Sequence, residues 1–464
     1  MRTPCCSPPC RPPRATRPKL VSSIDPTIVA IATPAGRGGL GLVRLSGREA
    51  RTIVQAMLKR ELAPRQAAFA RFRDASGAML DEVVTVFFPA PHSATAEDVV
   101  EITAHGAPVL LAALVAAAVD LGARPAEPGE FTRRAFLNGK LDLTQAEAVG
   151  DLVAAQTLLQ ARTAALQLQG SVSRLLAPAH QRLVEIIARL EAGIDFADDD
   201  VTVPADTAIA ADVLAVRTEL EHLASGFARP LREGLAVALL GRPNVGKSSL
   251  FNRLLGRERA IVTAQPGTTR DLVESGMDWD GIPVRLVDTA GIREPEAEAE
   301  RLGIEKSWEA AADADIVLGV FDASAPSHPE DERLRARLAD LPRALVVWNK
   351  ADLPPAIGWR LRPNEFAVSA LRGDGLDELR VRLRSAALPE AASEGGGLTN
   401  LRQVTLVRSA IGELSSALAA TGGVPHEVLL VSLYAALEHL DAITGQTTVE
   451  DILGLIFSTF CIGK

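Results

Sequence analysis

Short, nearly continuous apolar runs alternate along the chain with stretches whose apolar positions recur every three or four residues. From Thr27 the runs TIVAIAT, GLVRLSG, EVVTVFF and DVVEITAHG have strand character, and an Ala/Leu helix follows over Val109–Leu121. Together they predict a compact α+β domain ending near Lys140. Thr144 to Ile194 reads as long helices, with Leu183, Ile186, Ile187, Leu190 and Ile194 on one stripe, the spacing that bundle packing requires. Near Gly234 the pattern switches to LAVALL, VRLVD, DIVLGVFD, ALVVWN and FAVSA separated by helices. Almost wholly apolar strands in that order predict a mostly parallel sheet covered on both faces. This block ends near Ala387. After AASEGGG, helical periodicity returns from Thr399, with Leu406, Ile411, Leu414, Leu418, Val428, Leu433 and Leu437 on packing faces.

The expected organisation is a disordered tail (1–24), an α+β domain (25–140), a first helical part (141–233), an α/β domain (234–387) and a second helical part (388–464). An α/β domain inserted into a helical domain, whose two halves meet in space, is the simplest account. The tail is rich in Pro and Arg, without apolar periodicity and without the apolar core of a secretory signal. A start codon placed too far upstream would explain it as well as a function would.

Composition narrows the classes. A length of 464 residues with 47% hydrophobic and 23% charged residues fits an ordinary globular chain of several domains. The apolar run Val109–Val119 stops at Asp120, short of the ~20 residues needed to cross a bilayer, so no membrane span is expected. A formal charge of -9 argues against a surface that grips nucleic acid everywhere, leaving room for a local basic patch such as Arg133, Arg134 and Lys140. Cys5, Cys6 and Cys10 lie in the tail and Cys461 near the C-terminal end, which is no disulfide framework, and a reducing cytoplasm is expected.

The chemistry concentrates in the α/β block. GRPNVGKS, Gly241–Ser248, follows the strand LAVALL and opens the helix SSLFNRLL. Such a loop turns backbone N–H groups inward around a β-phosphate at a helix N-terminus. Within it Asn244, Val245, Gly246, Lys247, Ser248 and the adjoining Ser249 are candidate nucleotide contacts. Lys247 would neutralise β/γ-phosphate charge and the Ser248 hydroxyl would ligate Mg²⁺. Asn349, Lys350, Ala351 and Asp352 (NKAD) follow the strand ALVVW. An Asp carboxylate there can accept from N1–H and the 2-amino group of guanine, a pair adenine lacks, which selects GTP over ATP. Ser369, Ala370 and Leu371 would close the base pocket, and Thr268 and Thr269 stand where a switch loop brings a threonine to Mg²⁺ and the γ-phosphate. Asp288, Thr289, Ala290 and Gly291 would sense that γ-phosphate. Several elements in the right order, each after a strand, specify a P-loop GTPase.

A second glycine-rich string, GRGGLG at Gly36–Gly41, matches the dinucleotide fingerprint but runs into the strand-like LVRLSG, so a turn between two strands is expected. After DTAG comes Ile292, where Ras-type GTPases carry a water-orienting Gln. Ile292 cannot orient water. Three features could compensate: Arg293, the acidic run Glu294–Glu300, and Asn244, which with switch-loop carbonyls around Thr263–Thr268 could hold a monovalent cation.

The chain resembles the MnmE (TrmE) family of tRNA uridine-modification GTPases from Asp25 to Lys464. The strings that carry this are ATPAGRGGLGLVRLSG, PGEFTRRAFLNGKLDLTQAEAVGDL, QPGTTRD, DTAGIRE, ERLGIEKSW and FCIGK. The resemblance implies a P-loop domain inserted in a helical domain and preceded by an α+β folate-binding and dimerisation domain. It also implies a homodimer whose G domains pair with GTP and K⁺ bound. K⁺ would be held by Asn244, Thr263, Gln265 and Thr268, and Mg²⁺ by Ser248 and Thr269. The switch-loop contacts to GTP would run over Thr263, Ala264, Gln265, Pro266, Gly267, Thr268 and Thr269, and Glu300 would be the catalytic, water-orienting residue.

For the reduced folate, a 5-formyl- or 5,10-methylene-tetrahydrofolate, the matching positions are Arg44, Glu101, Lys140 and Lys464. Cys461 is expected to be a buried, inert thiol. The implied partners are tRNA and a flavoprotein of the MnmG type, using FAD and NADH, in a heterotetramer that adds a carboxymethylaminomethyl or aminomethyl group to C5 of the wobble uridine (position 34). SATAED at Ser93–Asp98 and Ala107 in HGAP depart from the family pattern in one N-domain loop. The alternative is a regulatory or ribosome-assembly switch without modification chemistry, which would have no use for the N-domain strings or FCIGK.

Overall fold

The computed structural model describes residues 26–195, 205–255, 274–279, 281–288, 314–341, 343–387, 397–446, 453, 456–457 and 460–463. Their contacts divide into two compact units, one within 1–150 and 444–464, the other within 151–443.

In the first unit six strands form one sheet, ordered β3-β4-β5-β2-β1-β6: β1 (Ile28–Ile31), β2 (Gly38–Ser46), β3 (Ala67–Arg73), β4 (Met79–Phe88), β5 (Val99–Gly106) and β6 (Arg124–Pro125). Asp81, Val83, Thr85 and Phe87 of β4 are buried while Glu82 and Val84 are exposed, so the sheet is packed on one face by the period of two. On that face α1 (Ala50–Leu58) contributes Ile53 and Val54, and α2 (Pro108–Asp120) contributes Leu111 and Leu114, to a core with Val43, Leu45, Val100 and Ile102. Gly41 belongs to this packing: a Cβ there would meet Leu111 at 2.5 Å. The glycine-rich string is thus the β1–β2 turn and the start of β2, where the helix comes close. After α3 (Glu130–Leu137), the start of α4 (Leu143–Ala154) forms a small core with the chain's end: Phe136, Leu143 and Ala146 pack with Leu453 and Phe457.

The second unit holds α5 (Leu158–Leu168), α6 (Ser171–Asp195), α7 (Asp206–Ser225), α8 (Pro230–Glu233), α9 (Lys247–Leu255), α10 (Pro329–Ala339), α11 (Leu376–Ala387), α12 (Leu401–Ala420) and α13 (His426–Thr444). Leu183, Ile186, Ile187 and Leu190 of α6 meet Val213 and Val216 of α7, Leu414 of α12 and Leu433 of α13 in one apolar core. The two helical stretches, far apart in sequence, therefore close on each other. Val428, expected on a packing face, is 52% exposed. The other part is a six-stranded sheet ordered β12-β11-β10-β7-β9-β8, from β7 (Leu235–Leu240), β8 (Glu274–Trp279), β9 (Ile282–Asp288), β10 (Ile316–Asp322), β11 (Ala344–Asn349) and β12 (Glu365–Ala367). All neighbours are parallel except the antiparallel β8–β9 hairpin. Apolar clusters cover both faces of this sheet, one around Val237, Leu239 and Leu318, the other around Ala238, Leu240 and Val317. Alternate residues of β7 therefore enter different cores, which explains why LAVALL is apolar throughout.

Candidate nucleotide and ligand sites

Because β7, β9, β10 and β11 run parallel, the segments after them open at the same sheet edge, where α/β folds bind ligands. The loop after β7 reaches α9 at Lys247. Asn244 (φ +65°) and Gly246 (φ +95°) take positive φ, turning successive peptide units so that the loop curls around the helix N-terminus. Val245 is buried and anchors the loop, whereas Asn244, Ser248 and Ser249 are exposed. Lys247 Nζ donates to the carbonyls of Gly241 (2.6 Å) and Arg242 (2.9 Å) across the loop.

The base motif is tied to the same loop. Asn349, 2% exposed, donates from Nδ2 to the Val245 carbonyl (2.9 Å) and accepts at Oδ1 from the Ala370 amide (3.0 Å). One amide side chain thus spans the phosphate loop, NKAD and the SAL segment. Lys350 Nζ donates to Asp322 Oδ2 (2.6 Å) at the end of β10. Burial would raise the Asp322 carboxyl, but hydrogen bonds from Lys350 and Ser324 hold it below its ordinary value. Ser369, fully buried, donates through Oγ to Asp352 Oδ1 (2.6 Å), and this bond is the main cause that keeps Asp352 ionised below the usual carboxylate range. Asp352 is thereby fixed as an acceptor, the form that guanine's two donors need. Ala370 is buried, while Ala351 and the 77%-exposed Leu371 stand at the rim.

The structure therefore brings Asn244, Val245, Gly246, Lys247, Ser248 and Ser249 together with Asn349, Lys350, Ala351, Asp352, Ser369, Ala370 and Leu371. The backbone of Asp288 ends β9 beside Leu239. Thr263, Ala264, Gln265, Pro266, Gly267, Thr268, Thr269, Thr289, Ala290, Gly291 and Glu300 lie outside the described residues. Sequence reasoning passed over Arg242, whose guanidinium meets Asp331 in two parallel hydrogen bonds, Nε–Oδ1 2.8 Å and Nη2–Oδ2 2.7 Å.

In the first unit Arg44 of β2 and Glu101 of β5 stand opposite each other and form an ion pair (Nη2–Oε1 2.7 Å). The Arg44 guanidinium also lies 5.8 Å from the Phe131 ring centroid. Lys140 Nζ donates to the carbonyls of Ser93 and Ala94, the latter at 3.1 Å. Desolvation, and then the charge of Arg44, push its ammonium below the ordinary value, which places Lys140 in the same field. Of the four matching folate positions, Arg44 and Glu101 are in direct contact and Lys140 is held at the Ser93 and Ala94 carbonyls; Lys464 lies outside the described residues, although its neighbour Gly463 sits against Ile31 and Ala32 of the same unit.

Two expectations fail here. Arg134 is no part of a surface patch: it is 5% exposed, bound to Glu97 (3.1 Å), Glu130 (3.0 Å) and the Pro26 carbonyl (2.9 Å). Cys461 is not buried but exposed. The Arg134 error comes from partners distant in sequence, Glu97 and Pro26, which local pattern does not register.

The family described as "MnmE helical domain" matches residues 143–461, and "GTP-binding protein TrmE N-terminus" matches 27–140. The "tRNA modification GTPase MnmE" of Koribacter versatilis is 55% identical over 95% of this chain and 100% of its own length. The protein of the same name from Aquifex aeolicus is 42% identical over 94% and 99%. Among solved structures, the G domain of the T. maritima FeoB iron transporter matches 33% of this chain and 98% of its own, with 26% identity and a TM-score of 0.24.

Proposed function

The chain belongs to the MnmE family of tRNA modification GTPases, and we propose that it couples K⁺-dependent GTP hydrolysis to modification of tRNA at C5 of the wobble uridine. The observation that carries this reading is that the likeness runs through the N-terminal and helical parts as well as the nucleotide site. A switch that only binds and releases partners has no need of those parts.

Among the described residues, Asn244 and Ser248 carry donor groups that suit the ions the reading requires. Asn244 offers an exposed amide oxygen at the tip of the phosphate loop, and Ser248 an exposed hydroxyl at the start of α9. Asn244, with Thr263, Gln265 and Thr268, would hold K⁺; Ser248 and Thr269 would hold Mg²⁺. Bound there, K⁺ supplies the positive charge that other GTPases take from an arginine finger. Lys247 neutralises phosphate charge, Asp352 selects guanine, and Glu300 orients the attacking water in place of the Gln that Ile292 cannot replace.

In the first unit, Glu101 accepts from the amino edge of a pterin, and Arg44, Lys140 and Lys464 meet carboxylates of a reduced folate, the one-carbon donor. The working assembly is a cytoplasmic homodimer joined by an FAD- and NADH-dependent partner of the MnmG type, with GTP hydrolysis driving domain movement. Among the described residues no helix is long and apolar enough to cross a membrane.

The test is reconstitution: protein, MnmG-type partner, GTP, K⁺, methylene-tetrahydrofolate, glycine or ammonium, FAD, NADH and unmodified tRNA, with the wobble nucleoside read by mass spectrometry. The expected product carries the aminomethyl-type group, in folate-dependent amount. GTP turnover with an unchanged nucleoside would overturn the reading.

A further inference from the structure

Arg242 lies at the start of the phosphate loop, two residues before Asn244, and its two ends do different things. Its main-chain carbonyl accepts from Lys247 Nζ (2.9 Å), the group that must meet the phosphates. Its guanidinium reaches out of the loop and forks onto both oxygens of Asp331 at 2.8 and 2.7 Å. Asp331 sits in the first turn of α10 and is only 7% exposed, while the Arg242 side chain is 25% exposed, so the pair is partly sheltered from the solvent screening that weakens ordinary surface ion pairs. The helix that carries it is fixed to the sheet in turn: Leu338 of α10 packs with Val317 and Phe321 of β10. A chain of contacts therefore runs from the sheet through α10 to the outer wall of the phosphate loop.

We propose that Asp331 is a positioning residue for the phosphate loop, acting through Arg242: the bidentate pair holds the first half of the loop at the opening that the nucleotide phosphates require. Planar, two-bond pairing fixes the guanidinium in direction as well as distance, which a single contact does not. With the carboxylate removed, Arg242 is left without its partner, the Arg242 carbonyl loses its set position, and the loop samples wider openings before it can close on phosphates. Binding then becomes weaker, while chemistry in the closed complex is unchanged.

Asp331→Ala and the near-isosteric Asp331→Asn separate this from a pair that only fastens α10. The expected result for Asp331→Ala is a dissociation constant for a fluorescent GDP analogue raised about tenfold, equivalent to about 1.4 kcal/mol. Its KM for GTP rises in parallel and kcat at saturating GTP stays within about twofold. Asp331→Asn, which keeps one acceptor, falls between wild type and Asp331→Ala. The binding measurements are made well below the melting temperature of each variant, and Asp331→Asn decides alone if Asp331→Ala does not fold. Unchanged nucleotide affinity with only a lowered melting temperature would overturn the proposal. A fall in kcat at unchanged KM would overturn it as well.

Discussion

Replacing Gly246 by Ala tests whether the phosphate loop and the guanine motif are one rigid piece. Gly246 has φ +95°, in the region where an L side chain costs about 1–2 kcal/mol. An added Cβ would also overlap Asn349 Nδ2. Asn349 is buried and bonded on both sides, to the Val245 carbonyl (2.9 Å) and from the Ala370 amide (3.0 Å). Pushing it aside leaves a buried polar group unpaired, at a cost of about 1–3 kcal/mol. The sum is about 2–5 kcal/mol against the binding-competent loop, which corresponds to a roughly 30- to 4,000-fold loss of GDP affinity. Isothermal titration with GDP, on protein whose circular dichroism matches wild type, measures this. A loss below threefold would refute the claim that Gly246 and Asn349 share one rigid arrangement.

Other expectations follow from single contacts. Asp352→Asn replaces an acceptor with a group that also donates, so GTP affinity should fall at least about 100-fold and xanthosine triphosphate should become the preferred ligand in competition; retained GTP preference would contradict the assignment of Asp352. Glu130 lies between Arg124 (2.6 Å) and Arg134 (3.0 Å). Burial alone would raise its carboxyl, yet the hydrogen bonds from Arg124, the Glu127 amide and Arg134 hold it below 4.5. A depressed folded pKa contributes stability that is complete above pH 4.5 and is lost as pH falls through the folded value. Glu130→Gln should therefore lower the urea midpoint at pH 7 and flatten its decline below pH 4.5; parallel declines in the two proteins would contradict this.

Much of the candidate nucleotide site, among the described residues, was legible in the sequence because its chemistry is local. GRPNVGKS must follow a strand and open a helix, and NKAD must follow another, so order alone fixed their place. What stayed hidden depends on topology. Asp331 is 89 residues from Arg242 and Asp322 is 28 from Lys350, and only the adjacency of β7, β10 and β11 brings them together. Strand β3 was missed because AAFARFR places arginines at its exposed alternate positions, and β8 because the edge strand ESGMDW carries few apolar residues. Arg134 was misjudged for a related reason. EFTRRAFL reads as a basic helix until Glu97, 37 residues upstream, is seen to pair with it.

In the proposed mechanism a potassium ion, held through Asn244, would provide the charge that an arginine finger provides elsewhere. Steady-state GTP hydrolysis in KCl and in NaCl at matched ionic strength tests it most directly. A large rate gain specific to K⁺, abolished by Asn244→Ala, is the predicted result. Equal rates in the two salts would contradict the claim and leave Arg293 or a partner protein to supply the charge.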